Sequence, residues 1–309
     1  MILAVCANPS VDSFWSLPAL DGGMTNRSNG ETYYPGGKGI HVGFALRELG
    51  KEAAILGIWG GQTGAWLKQE CAQQDIEVIG PTVEQWNRIC LSIQSDSDWD
   101  ETELLGRGPT IDAPTKKAFF QAYTHFITEQ QPEAIVISGS LPAGLKNDCY
   151  HEMITAAKPL NIPVFVDASG PLLQHTLATQ PYSIHINHHE GRELCGHQEP
   201  TKIAQWLGDY CKVAAVTAGA DGLYLWVDNK LFNTYNYINP SEITSTVGSG
   251  DCLFAGLCLA TLNVEDVAFW AKYAAACGTA NCIHPQLGML KKTDVDTIVN
   301  TVTLKELTV

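Results

Sequence analysis

The chain has 309 residues, 45% of them hydrophobic and 17% charged, and a formal net charge of -14. That length and composition suit one large α/β domain with a sizeable buried core. The acidic balance excludes nucleic acid or an anionic membrane surface as the main partner, since both call for a basic surface. A polyanionic substrate would instead need glycine N–H nests, a few placed Lys or Arg, or a divalent cation.

In chain order, residues 2–7 are apolar, lack a basic leader and run into Asn8-Pro9, so they read as a first core strand and not as a signal peptide. Apolar runs recur at residues 53–58, 134–138, 164–167, 183–186 and 213–217, with helical patterns between them. Such alternation predicts a mostly parallel sheet with helices on both faces, a three-layer α/β/α fold. Polar groups follow the strand ends, where ligands of open sheets bind: Asn8, Ser138, Asp167, Asn187 and Thr217.

Residues 11–35 and 84–107 break the pattern with Thr, Ser, Asn and aromatics in loose period-two alternation, and are expected to form a small β-lid over the strand ends. The clearest strand there starts at Arg88, with Asp96-Ser-Asp-Trp-Asp100 as its turn. No repeat or linker divides the chain, so residues 1–309 are expected to form a single domain. Ten scattered cysteines without a Cys-x-x-Cys pair suit reduced thiols in a cytoplasmic protein. No segment is long and apolar enough to span a bilayer.

The most informative stretch runs from Ser245 to Gly256, where Gly248-Ser249-Gly250-Asp251 opens an apolar helix. Free N–H groups of a first helical turn, with the positive end of the helix dipole, form an anion site. Asp251 at its rim could take a proton from a hydroxyl attacking a phosphoryl group; the same pattern also fits a carboxylate that only caps the helix. A second glycine cluster, Pro35-Gly-Gly-Lys-Gly-Ile-His-Val-Gly43, opens another helix but lacks the spacing of a Walker phosphate loop, so Lys38 has no Walker role. Asp12 could accept hydrogen bonds from two sugar hydroxyls or make an Asx turn. Arg27, Arg88 and Arg107 lie in or beside the lid segments, where a guanidinium could grip a phosphate. His185 and His189 invite a zinc reading that nothing else in the run supports. Asn187 with Glu190 fits better as a polar pair at a strand-to-helix turn, able to hold waters around magnesium.

Taken together these segments resemble the ribokinase-like PfkB family of sugar kinases. The match is carried by eight motifs in the family's order: Asn8-Pro-Ser-Val-Asp12, Gly36-Gly-Lys-Gly-Ile40, Gly60-Gly-Gln-Thr-Gly64, Ser138-Gly-Ser-Leu-Pro142, Asp167-Ala-Ser-Gly170, Asn187-x-x-Glu190, Thr217-Ala-Gly-Ala-Asp-Gly222 and Thr246-Val-Gly-Ser-Gly-Asp251. The chain looks most like the branch that phosphorylates sugar phosphates, the 1-phosphofructokinases, tagatose-6-phosphate kinases and minor 6-phosphofructokinases. The resemblance implies ATP and Mg2+ as cofactors and transfer of the γ-phosphoryl group to a sugar-phosphate hydroxyl. It makes Asp251 the base, with Gly248, Ser249 and Gly250 as the anion hole. Asp12, Gly37, Lys38 and His41 would hold the sugar, with Arg88, Ser138 and Arg27 near its phosphate. Asn187, Thr217, Gly219 and Gly222 would border the nucleotide, Gln286 and Gly288 its adenine side, and Glu190 would hold magnesium through water. A homodimer through the lid is allowed by the same analogy.

Departures from the family pattern gather where the sugar is expected. His41 stands in place of the usual Asn, Cys90 in place of Asn and Leu105 in place of Asn. His185-Ile186 replaces Lys-Pro before Asn187, and Ser249 replaces Ala. The lost amides leave open a kinase of an unphosphorylated sugar or nucleoside. A catalytically silent sugar or nucleotide sensor is the reading from another class.

Overall fold

The computed structural model describes residues 1–95, 102–264 and 266–308. Its largest element is a ten-stranded sheet in the order Thr303–Leu307, Lys230–Tyr235, Leu223–Val227, Val213–Thr217, Ser183–Asn187, Val164–Asp167, Ala134–Ser138, Ile2–Cys6, Ala53–Gly57, Glu77–Ile79. Every pairing from Val213–Thr217 to Glu77–Ile79 is parallel. The three strands beyond Val213–Thr217 pair antiparallel. These three and the short Glu77–Ile79 were not among the sequence-expected strands: exposed positions interrupt Glu77–Ile79, Lys230–Tyr235 and Thr303–Leu307, whereas Leu223–Val227 is a continuous apolar run that the sequence reading passed over.

Central strands are apolar without alternation because both faces are covered. Ile2, Ala4 and Cys6 join one core, with Ile40, Phe254 and Ala274 from helices Lys38–Glu48, Ser249–Asn263 and Val267–Cys282. Leu3 and Val5 point the other way and pack with Phe119, Tyr150 and Ile203 from helices Ala113–Glu129, Cys149–Ala157 and Pro200–Leu207. The result is the expected three-layer arrangement of a mostly parallel sheet between helices.

Strand order reverses at Ile2–Cys6, which lies between Ala134–Ser138 and Ala53–Gly57. Such a switch point opens a crevice beyond the carboxyl ends of the strands. Asn8 sits there and donates from Nδ2 to the Arg107 carbonyl and the Ser140 hydroxyl, at 3.2 and 3.4 Å. A second sheet of four strands, Gly30–Gly36, Ser10–Leu17, Arg88–Ser95 and Thr102–Leu105, leaves the core at this point and forms the expected lid. Its turn at 96–100 lies outside the described residues. Asp12 is therefore inside a lid strand and not just past the core strand, since Ser10 already pairs in the lid.

Helix Lys38–Glu48 is held against the first strand by Gly39, where a Cβ would lie 2.5 Å from the Val5 carbonyl oxygen and 2.6 Å from Cys6 Cβ. Gly39→Ala is expected to lower the urea midpoint, because overpacking of about 1–3 kcal/mol exceeds the ~1 kcal/mol that Ala gains over Gly in a helix. An unchanged or raised midpoint would show that the helix can move away freely.

Candidate active site

Both glycine clusters do open helices. Gly37 and Gly248 cap helices Lys38–Glu48 and Ser249–Asn263 with φ of 95° and 82°, a region costly for any residue with a Cβ. Neither helix has a side-chain cap, so the first-turn N–H groups are not taken by one. Asp251 is the third residue of its helix and its carboxylate turns to His41, which answers the cap question.

The two helix openings both line a cleft of about 590 Å³. Asp12, Gly37, Lys38, His41 and Arg88 line it on the lid side, Asn187, Glu190 and Thr217 on the other, and residues 248–251 form its floor. Cys90 and Leu105 also line it, and lid register explains why: Asp12 pairs with Cys90 and Cys90 with Leu105, which puts all three on one face of the lid. Of the positions that depart from the family pattern, Cys90 and Leu105 thus form one wall together with Glu103, opposite Ser92. Burial, then the nearby charge of Asp12, raises the Glu103 carboxyl above its ordinary value.

Two charge networks run under the cleft. In the first, Lys38 Nζ donates to Asp167 Oδ1 at 2.5 Å and Asp167 Oδ2 meets His185 Nδ1 at 2.8 Å, with His185 Nε2 3.3 Å from Thr217 Oγ1. Burial alone would raise the Asp167 carboxyl, but the charges of Lys38 and His185 overcome it and hold the group well below the usual range. Burial likewise opposes the Lys38 charge, and Asp167 followed by Asp251 reverses that, leaving the ammonium firmly protonated. Asp167 was expected only as a polar group at a strand end and His185 only in a zinc reading and as a departure beside Asn187; neither was given a part in the site. The available signal was a lone carboxylate ending a buried strand, register-paired with a histidine on the next.

In the second network His41 Nδ1 lies 2.8 Å from Asp251 Oδ2, and His41 Nε2 lies 3.5 Å from Asp12 Oδ2. Burial pulls the His41 pKa down, but the hydrogen bond and charge of Asp251, then the charge of Asp12, leave it above the ordinary histidine value. Burial pushes the Asp251 carboxyl up, and His41 and Lys38 only partly offset that. The pair keeps its protons to higher pH than separated groups would.

Other expected site residues lie elsewhere. Arg27 is exposed and does not line the cleft. Ser138 is buried beneath it, beside Asp167 in the sheet, and does not line it. Gly219 and Gly222 shape the turn between Val213–Thr217 and Leu223–Val227, where Ala218 N–H donates to the Gly222 carbonyl at 2.9 Å. They stand outside the cleft lining, as does the exposed Gln286. Gly288 was expected on an adenine side; it lies against the His41 ring, where a Cβ would be 2.1 Å from Cδ2. Asn187 and Glu190 form a reciprocal capping box, both bonds at 2.9 Å, which takes one Glu190 oxygen and leaves the residue on the cleft. His188 and His189 stack at 3.8 Å, and among the described residues no group of three or more His, Cys, Asp or Glu could hold a metal directly. All ten cysteines are free, and among the described residues no helix is long and apolar enough to cross a membrane.

A doubly wound sheet with a β-lid and a glycine-opened helix at its cleft is the architecture of this chain, and comparison with known proteins gives it the class of ATP-dependent carbohydrate kinases. The chain belongs to the pfkB family of carbohydrate kinases, whose sequence profile matches residues 8–292. It is 30% identical over 297 residues to a 1-phosphofructokinase of Bacillus subtilis, covering 93% of this chain and 94% of that protein. Among solved structures it is similar to a possible 1-phosphofructokinase from Thermotoga maritima, with a TM-score of 0.87, 21% identity and 100% of both chains covered. Phosphofructokinase-2 from Escherichia coli, solved in complex with substrates and products, gives a TM-score of 0.86 at 24% identity over 97% of this chain and 98% of that one.

Two outcomes follow from the networks. Asp167→Asn leaves Lys38 and His185 facing an uncharged amide and should cost about 3–5 kcal/mol of stability, as broken buried pairs do; chemical denaturation with a loss under 1 kcal/mol would contradict the pairing. A raised folded pKa contributes stability that is full below the ordinary histidine value of about 6.5 and is lost as pH rises through the raised value. Unfolding free energies measured from pH 6 to 9 should fall for the wild type and fall less for His41→Asn; parallel slopes would remove the assigned pair.

Proposed function

We propose that the chain transfers the γ-phosphoryl group of ATP to a hydroxyl of a ketohexose phosphate such as fructose 1-phosphate, fructose 6-phosphate or tagatose 6-phosphate. The observation that carries this reading is the meeting, in one cleft, of the uncapped helix opening at 248–251 with Asp251, Asp12, Lys38 and Arg88. The 1-phosphofructokinase relative supports the substrate class.

Asp12 would accept hydrogen bonds from acceptor hydroxyls, with Ser10 Oγ fixing one of its oxygens at 2.7 Å. Arg88, oriented by its Nε–H on the Asn8 carbonyl at 3.1 Å, would meet the phosphate the acceptor already carries. Asp251 takes the hydroxyl proton as the new O–P bond forms. The N–H groups of Gly248 and Gly250, Ser249 N–H being turned to the Thr246 carbonyl at 3.1 Å, and the ammonium of Lys38 stabilise charge on the transferring group, which needs positioning more than a strong base. Thr217 and Asn187 border the phosphates of ATP. Magnesium bound with ATP supplies charge neutralisation, and the second carboxylate oxygen of Glu190 is the group to hold its water shell. The lid would exclude competing water, and its outer face, with Ile89 and Leu104 exposed, suits a second copy of the chain.

A second reading, an unphosphorylated sugar or nucleoside as acceptor, is favoured by the Cys90–Leu105 wall and the carboxylates of Asp12 and Glu103 beside it. ADP release over a panel of sugars, nucleosides and sugar phosphates decides. Asp251→Asn should lower turnover by 10² or more, and undiminished turnover would sink the mechanism. Arg88→Ala should raise the KM for a sugar phosphate ten-fold or more; no change points to the unphosphorylated acceptor. No multiple turnover with any acceptor would leave the sensor reading.

A further inference from the structure

His41 occupies an unusual place between two carboxylates with different duties. Its ring is fixed from three sides: Lys38–Glu48 carries it, Asp251 accepts from Nδ1, and the loop at Gly288 lies against its edge. Nε2 is different. The residue is 3% exposed and lines the cleft, yet Nε2 makes no hydrogen bond of good geometry among the described residues, although the Pro35 carbonyl lies close enough to favour the protonated ring. Asp12 Oδ2 stands 3.5 Å away, too far for a good bond. A buried polar atom left unpaired costs free energy and is commonly completed by a ligand.

Resting on the kinase reading above, we propose that His41 is a positioning residue that couples acceptor binding to the base: Nδ1 holds Asp251 while Nε2–H waits for an oxygen of the acceptor bound at Asp12. An acceptor hydroxyl placed between Asp12 and His41 satisfies both, and the ring transmits its position to the carboxylate on the other side. The groups facing the ring are Asp251 from helix Ser249–Asn263, Asp12 from the lid and the Pro35 carbonyl; the loop at Gly288 brings no charge. With both ring nitrogens protonated, His41 donates to Asp251 and to the acceptor at once. During transfer the acceptor O–H bond breaks, the O–Pγ bond forms, and the bond from Pγ to the departing ADP oxygen breaks with its electron pair on ADP. The proton passes to Asp251 and His41 keeps its own two. Loss of one imidazole proton at alkaline pH turns Nε2 into a lone pair facing Asp12 and an acceptor oxygen, and the subsite loses its donor.

Two substitutions separate the two bonds. Asn places an amide near the Nδ1 position and nothing near Nε2; Gln reaches the Nε2 position and abandons Nδ1. Steady-state ADP release is measured with whichever of fructose 1-phosphate, fructose 6-phosphate or tagatose 6-phosphate the wild type turns over. His41→Asn is expected to raise acceptor KM about ten- to a hundred-fold with kcat changed far less, and to remove the alkaline fall in kcat/KM. His41→Gln is expected to show the opposite split, with kcat lowered and KM nearly kept. Unaltered KM and pH profile in His41→Asn, or equal losses in both variants with native melting curves, overturn the coupling. Should neither variant fold, the same acceptor is added without ATP to wild-type protein carrying 15N-labelled histidine. A shift of the His41 Nε2 resonance supports the proposal, and a static resonance with acceptor bound overturns it. A wild type that releases ADP with no acceptor defeats the kinase reading and the coupling with it. ADP release accompanied by an unchanged His41→Asn profile defeats the coupling alone.

Discussion

Asp167 is a carboxylate almost wholly removed from water at the end of a central strand, and the site depends on how that charge is answered. An isolated carboxylate there would cost several kcal/mol in desolvation. Lys38 and His185 answer it from two sides. In doing so they tie the first turn of helix Lys38–Glu48 to strands Val164–Asp167 and Ser183–Asn187 and hold Lys38 over the floor of the cleft. The His185 ring also lies tilted against Phe254, centroids 5.4 Å apart, and packs against Gly250, so the same pairing reaches the helix that carries Asp251. Charge pairing here acts as registration between elements that are far apart in sequence.

Much of this was legible beforehand, for local reasons. Runs such as residues 134–138, 164–167 and 213–217 are apolar on both faces and match their observed strands end to end. Helix openings at Gly37 and Gly248 announced themselves through glycines at positions that require positive φ. The antiparallel strands Lys230–Tyr235 and Thr303–Leu307 were missed because partners and solvent, not an internal period, decide their burial, while the apolar run Leu223–Val227 was legible and was passed over. Asp167 and His185 were missed as site residues for a related reason. Their meaning lies in one register pair of a parallel sheet, and no spacing along the chain encodes it. The contact of Gly288 with His41 was not legible for the same reason, since the two lie almost 250 positions apart.

Period two decides which lid side chains face the cleft. Asp12, Cys90 and Leu105 are separated widely in sequence, but ladder register makes them lateral neighbours on one face. Three departures from the family pattern, His41 included, thereby converge on one ligand subsite instead of scattering over the surface. Cys90 and Leu105 take no part in the paired charges beneath, whereas His41 is paired with Asp251, so the lid face can change its chemistry while the charged floor keeps its own.

The ends of the large sheet bear on a separate matter, how copies of the chain keep apart. An open sheet has two unpaired edges, each a template for strand addition. One edge is Glu77–Ile79, only three residues long. The other, Thr303–Leu307, carries Lys305 and Glu306, with Lys305 resting 5.5 Å above the Tyr235 ring. Short length on one side and mixed charge on the other make both poor seeds for sheet extension. Crowded copies are thereby steered away from fibre-like stacking of their cores, and a folding chain with a ten-stranded sheet is protected while its slowest pairings form.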